Sequence, residues 1–229
     1  MHVLGVIPAR SGSKGIPNKN CAPLLGKPLL SYTCEQARAS RTLTRIILST
    51  DDKEIAACGQ NCGVEIPFMR PKQFAQDDTP MLDVLRNVLE TLEKKESYRP
   101  DIIVVLQPTS PLRRTDDIDA AVEKLVQNHS DSVVSVTAVP HQFSPGSILQ
   151  LEDGCLVPYL NEPQVLRRQD KPVLYARNGP AVLAVRRDVI MERNSLYGTV
   201  CHPLMMPAER SVDIDDPDDI WRAEKLLTR

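Results

Sequence analysis

Apolar positions along the chain recur in two alternating rhythms. HVLGVI (2–7), RIILST (45–50), DIIVVLQ (101–107) and SVVSVTAV (132–139) are apolar at most positions, with VEIPF (64–68) as a shorter run. Such runs read as strands covered on both faces. Between them lie stretches with helical spacing: 29–40, 51–61, 81–96 and 115–128. Asp51 and Asp52 are read as residues that open the second of these helices. Thr115 is read as the N-cap of the fourth, with acids in its first turn where the macrodipole favours them. This alternation predicts an α/β fold with a doubly wound, mostly parallel sheet. In such sheets ligands bind beyond the carboxyl ends of the strands, so the loops after 2–7, 45–50 and 101–107 are where chemistry is expected.

The rhythm breaks between 140 and 178. That stretch is rich in Pro, Gly and alternating residues, and it reads as hairpins and an extended arm. The pattern resumes at AVLAVRRDVI (181–190) and ends in DDPDDIWRAEKLL, where Asp216 fits an N-cap, Pro217 the first helical position, and Asp218 and Asp219 the first turn. With 229 residues, the chain is expected to form one domain over 1–229, with the 140–178 arm as a dimerisation element of a homodimer.

Composition narrows the options mainly by exclusion. The net charge is -2, so bulk attraction to nucleic acid or an anionic membrane is not expected, and any anion site must be a local cluster of Lys and Arg. No run approaches the roughly 20 apolar residues of a membrane span. The start of the chain lacks a signal-peptide pattern. The six cysteines form no CxxC pair and no zinc spacing, so they read as free thiols of a cytoplasmic protein.

The first chemical constellation follows the first strand directly: Pro8-Ala9-Arg10-Ser11-Gly12-Ser13-Lys14-Gly15, then Pro17-Asn18-Lys19-Asn20. Small residues such as Ala9, Ser11 and Gly12 let backbone N–H groups approach an anion, and Arg10, Lys14 and Lys19 supply charge. It is neither a Walker loop nor a GxGxxG fingerprint, which sets aside dinucleotide oxidoreductases. The chemistry it fits is a nucleoside triphosphate whose leaving pyrophosphate is stabilised by fixed cations. Gln107 ends the strongest strand at the favoured face, and its amide can both donate and accept. Asp213 and Asp215, two apart in an extended segment, face the same way and suit Mg2+.

PARSGSKGIPNKN followed by PLLGKPLLSYT closely resembles the N-terminal signature of the acylneuraminate cytidylyltransferase family, that of the CMP-sialic acid synthetases. The likeness continues in order through STDDKEIA, PFMRPKQFAQDDTPMLDVL, LQPTSPLRRTDDI, RRQDKP, YARNG and VDIDDPDDIWRAEKLL. The resemblance implies a Rossmann-like fold of the nucleotide-diphosphosugar transferase type, and transfer of CMP from CTP to an acidic acceptor with Mg2+ or Mn2+. It implies that Arg10 and Lys19 are catalytic contacts to the triphosphate. Asn20 would meet the nucleotide, while Arg70 and Gln107-Pro108-Thr109-Ser110 would line the nucleoside and acceptor pocket. Asp213 and Asp215 would hold the metal. Arg168, Tyr175, Arg177 and Asn178 would approach the acceptor.

The chain departs from that pattern after the arm, where Asn178-Gly179-Pro180-Ala181-Val182 replaces the NGAIY typical of sialate enzymes. Asp78-Thr79-Pro80-Met81 likewise replaces a Ser-rich stretch near the base. The donor machinery is therefore expected intact and the acceptor pocket altered. A nonulosonic or eight-carbon keto-deoxy sugar acid is the expected acceptor, and a small phosphonate the alternative. Two other readings are a sugar-1-phosphate nucleotidyltransferase, whose GxGTR start is missing, and a nucleotide-binding protein without turnover.

Overall fold

The computed structural model describes residues 1–12, 15–160, 167 and 171–228, so Ser13, Lys14 and Arg168 lie outside the described residues. The chain begins with β1 (Val3–Pro8), a small ribbon of β2 (Pro23–Leu24) and β3 (Lys27–Pro28), α1 (Leu29–Ala39), β4 (Arg45–Ser49) and α2 (Lys53–Asn61). It continues through α3 (Met81–Glu96), β5 (Ile102–Val105), α4 (Thr115–Gln127) and β6 (Ser132–Ala138). After the arm hairpin of β7 (Leu149–Glu152) and β8 (Cys155–Pro158) come β9 (Tyr175–Arg177), β10 (Leu183–Arg186), α5 (Arg187–Met191), β11 (Cys201–Met205) and α6 (Pro217–Leu227).

The main sheet has seven strands in the order β11-β6-β10-β5-β1-β4, with β9 beside β6. β1 runs parallel to β4 and β5, and β11 parallel to β6. β10 is antiparallel to both of its neighbours, because the chain re-enters the sheet from the arm in the opposite sense. The expected mostly parallel sheet is present, with two reversed strands, β10 near its middle and β9 beside β6.

Side-chain alternation along the strands explains the two helical layers. Val3 and Ile7 face α1, α2 and α4, while Leu4 and Val6 face α3 and α5. In α3 the buried Leu85, Val88, Leu89 and Leu92 recur at helical spacing, which is why its limits match the sequence pattern. A third, smaller cluster joins Ile16, Leu24, Leu29 and Leu112 to Val212, Ile214 and Ala223. It docks the segment before α6 against the loop after β1. Burying a side chain such as Ile214 contributes about 1.5–3 kcal/mol to that docking.

Three local expectations are corrected. Thr115 is the first residue of α4 rather than its cap: Arg114 holds the cap position, and its amide donates to Asp117 Oδ2 at 2.9 Å. Thr115 is drawn away because its hydroxyl and amide both bond the Gln36 side chain. VEIPF forms no strand of its own, only a single parallel bridge between Glu65 and Ile47. Of the two adjacent aspartates, only Asp52 caps α2, accepting from Glu54 and Ile55 amides at 2.8 and 2.9 Å. At α6 the expected cap stands: Asp216 accepts from the amides of Asp218 and Asp219.

Candidate functional site

The carboxyl ends of β1 and β5 open onto a cleft of about 420 Å3 walled by Arg10, Lys19, Asn20, Gln107, Thr109 and Asp215, together with Pro8, Gly15 and Pro108. Its floor is the loop after β1, which is fastened at several points. Ala9 donates to the Ser49 carbonyl at the end of β4. Ser11 donates twice to Asp51, through its amide at 2.9 Å and its hydroxyl at 2.6 Å. Asn20 returns to the loop and donates to the Arg10 carbonyl at 3.0 Å. Asp51, read from sequence as a helix opener, thus pins the phosphate-type loop. Nothing in the pair Asp51-Asp52 separates the two roles before the fold is known.

Asp51 is partly buried, which pushes its carboxyl up. The two bonds from Ser11, its own amide and the nearby Arg70 outweigh that, and the group lies below the usual carboxylate range. Arg70 is itself buried and donates to the Ser49 carbonyl at 2.6 Å and the Ser49 hydroxyl at 3.0 Å. Burial lowers it to about 10 against the attraction of Asp51, so it stays charged near neutrality. Its role in the structure is to hold the end of β4, beneath the cleft.

Opposite the loop runs the extended segment 212–215. Val212 and Ile214 point into the third cluster, which turns Asp213 and Asp215 the other way. The Ile214 amide donates to the Thr109 carbonyl at 2.8 Å. Lys19, nearly buried, donates to the Ile214 carbonyl at 2.7 Å and to Asp215 Oδ1 at 2.9 Å. Gly15 passes so close that a Cβ there would stand 2.1 Å from the Asp215 carbonyl oxygen. Any side chain at that position would push the loop off the segment.

The two aspartates fit a divalent cation. Asp213 Oδ1 is buried without a hydrogen-bond partner among the described residues. Burial, and secondarily Asp215, raise the Asp213 carboxyl, with Thr109 and Lys19 opposing. Asp213, open at Oδ1, stands two residues from Asp215, which lines the cleft and already pairs with Lys19; two carboxylates so placed suit Mg2+, since that ion completes its shell with phosphate and water.

Gln107 stands where this cleft meets a second one of about 350 Å3. Its Nε2 donates to the Gly179 carbonyl at 2.7 Å. The second cleft is walled by Met81, Leu183, Leu196, Pro180, Arg177 and Tyr197. Arg177 donates to the Tyr197 hydroxyl at 2.6 Å. Gly179 sits at φ +111, where any side chain is strained, and a Cβ there would be tight, 3.1 Å from Ser110 Oγ and 3.2 Å from Asp213 Oδ2. The hydroxyl of the buried Ser110 has no partner among the described residues.

Sequence expectation and structure differ in detail here. Arg10, Lys19, Asn20, Gln107 and Asp215 meet in one wall. Ala9, Ser11, Arg70, Ser110 and Asp213 lie in the shell that supports it, and the Gly12 carbonyl accepts from Arg10. Asn178 is buried and its amide is already engaged: it accepts from Ser135 at 2.6 Å and donates to Ser211 at 2.9 Å. It therefore braces the chain before Gly179. Tyr175 is half exposed on β9 and lines neither cleft. Sequence reasoning missed Arg113, fully buried, which ties the Gln107 and Ala181 carbonyls to the Thr33 hydroxyl. It also missed the apolar wall of Met81, Leu183 and Leu196.

Replacing Asp51 by Asn is expected to weaken nucleoside triphosphate binding about tenfold at neutral pH by loosening Ser11, measured by calorimetric titration. The native carboxyl of Asp51 is depressed, so its stabilisation is present above the ordinary carboxylate value and is lost as pH falls through the lower native value. The wild type should therefore lose more stability than the Asn variant on acidification from about pH 7 to about pH 3. Equal affinity and parallel pH profiles would show that the pin is incidental.

Residues 4–207 match the cytidylyltransferase family. The chain is 34% identical over 230 residues to CMP-N,N'-diacetyllegionaminic acid synthase of Legionella pneumophila, covering 99% of this chain and 97% of that one. It is 30% identical to pseudaminic acid cytidylyltransferase of Campylobacter jejuni, covering 99% and 96%. The structure of a CMP:2-keto-3-deoxy-manno-octonic acid synthetase complexed with CTP superposes with a TM-score of 0.73 at 19% identity, over 100% of this chain and 99% of that one, so the fold is shared. With its cleft at the strand ends, its cationic loop and its facing aspartates, the chain belongs to the cytidylyltransferase family and is a CTP-dependent nucleotidyltransferase.

Proposed function

We propose that the enzyme transfers CMP from CTP to a nonulosonic or keto-deoxy sugar acid, releasing pyrophosphate. The observation that carries this reading is the pair of clefts joined at Gln107, one cationic and facing two aspartates, the other part apolar with Arg177 at its side. The relatives named above act on nonulosonic acids, and the second cleft has the mixed lining that an acylated sugar acid requires.

In this reading the triphosphate lies along the loop after β1, with Arg10 and Lys19 against its β- and γ-phosphates. Gln107 holds the acceptor at the junction, so that its hydroxyl oxygen meets the α-phosphorus in line with the departing pyrophosphate. The work of the protein is positioning and charge neutralisation. Asp213 and Asp215 would hold a divalent ion, Mg2+ or Mn2+, which when bound screens phosphate charge and makes an acceptor hydroxyl easier to deprotonate. Lys19 and Gly15 keep the loop close to the segment that carries both aspartates.

The arm adds a quaternary element to the proposal. β7 and β8 present Leu149, Leu151, Leu156 and Tyr159 to solvent. A cluster of that kind favours coverage by a second copy, so the enzyme works as a homodimer. Its six free thiols suit the reducing cytoplasm, and none of its described helices is long and apolar enough to cross a membrane.

Pyrophosphate release from CTP with Mg2+ should occur with one acid from a panel of legionaminate, pseudaminate, neuraminate, keto-deoxyoctonate and small phosphonate types. Arg10→Ala should lower that rate by ~100- to 1000-fold with folding intact. Silence with every nine- and eight-carbon acid, alongside turnover of the phosphonate, would replace the sugar-acid reading; a near-normal rate for the variant would remove Arg10 from the mechanism. Sedimentation should give a dimer that Leu151→Asp and Leu156→Asp together convert to monomer. A monomeric wild type would contradict the role given to the arm.

A further inference from the structure

In the cleft, the contacts of Arg10 with the described residues run through one end of the guanidinium. Nη1 donates to the carbonyls of Ser11 and Gly12 at 3.3 and 3.2 Å and pairs with Asp77 Oδ1 at 2.6 Å. Asp77 comes from a different loop, the one between the 3-10 turn at 72–74 and α3. That loop has its own internal bonds: Gln76 donates to the Thr79 hydroxyl through its amide and to the Lys72 carbonyl through its side chain.

Both loops are fastened to the same place. The end of β4 receives Ala9 on Ser49 and Ser11 on Asp51 from the phosphate-type loop. It also receives the Arg70 side chain on Ser49 and the Arg70 amide on Thr50, at the start of the loop that carries Asp77. Arg10 and Asp77 thus face each other across a gap whose two sides share one anchor.

A guanidinium is a planar fork, and fixing one end fixes the direction of the other. We propose that Asp77 is a positioning residue that holds the Nη1 end of Arg10 and so aims the remaining donors at the CTP triphosphate. The inference rests on the phosphate role given to Arg10 above. Asp77 touches no reacting atom in this account. It lowers the disorder that Arg10 must lose when the nucleotide arrives.

The pair is partly solvent-exposed, so the effect is modest. Asp77→Ala is expected to weaken Mg–CTP binding by about threefold to tenfold in calorimetric titration. KM for CTP should rise more than kcat falls. Asp77→Asn, which keeps an acceptor but not the charge, should fall between, and Asp77→Glu should restore most of the loss. In an Arg10→Ala background, adding Asp77→Ala should cost clearly less CTP affinity than it does in the wild type. Thermal unfolding of each variant confirms that the fold is kept.

Two results would overturn the inference. Tighter CTP binding by Asp77→Ala would make the carboxylate a competitor of the triphosphate. An undiminished loss in the Arg10→Ala background would show that Asp77 acts on something other than Arg10. If Arg10→Ala alone binds and turns over CTP normally, the reading of the catalytic loop fails first, and the inference falls with it.

Discussion

A nearly buried ammonium must be neutralised where it sits, because taking a lone charge out of water costs more than any single contact returns. Lys19 is in that position, and its neutralisers are the Ile214 carbonyl and Asp215 Oδ1, from the far end of the chain. This bond sets the distance between the loop after β1 and the aspartate segment. Gly15 makes the approach sterically feasible, and the apolar cluster of Ile16, Leu24, Val212 and Ile214 makes it favourable. Remove the cluster and Lys19 is left to water. Remove Lys19 and the aspartates lose the cation that holds them near the cleft.

The same logic governs the rest of the site. Strand ends leave backbone carbonyls without ladder partners, and here long cationic side chains collect them. Arg70 takes Ser49 at the end of β4, and Arg113 takes Gln107 and Ala181 where β5 meets the returning chain. Burial holds Arg113 at about 10, as it does Arg70, so both remain charged near neutrality. Gln107 then spans from β5 to the Gly179 carbonyl and separates the nucleotide side from the second cleft. A rigid scaffold therefore surrounds loops whose own segments are short and polar, which is the usual division of labour in α/β enzymes.

What the sequence revealed follows from how local each signal is. The helix at 81–96 was legible to the residue because its apolar stripe is periodic and its flanks are not. The cap at Asp216 is legible from its own local pattern, an Asp before Pro217 and two further acids in the first turn. Arg10, Lys19, Asn20, Gln107 and Asp215 were grouped by motif, and the fold brings them into one wall. Asp51 was misread because an aspartate that caps a helix and one that grips a loop look alike until Ser11 arrives from elsewhere. Asn178 was expected near the acceptor, yet Ser135 and Ser211 use up its amide, a pairing that only the packed sheet brings about. Asp77 and Arg113 carried no local signal, since their partners lie on other elements.

One ligand, Mg–CTP, is expected to engage the loop after β1, the end of β5 and the aspartate segment together. Hydrogen exchange with and without Mg–CTP tests it most directly. Amides in 9–20, 107–110 and 213–216 should slow in concert and over the same range of CTP concentration. Protection confined to the loop, with 213–216 exchanging as before, would contradict it, because the triphosphate would then bind without the segment that Lys19 holds in place.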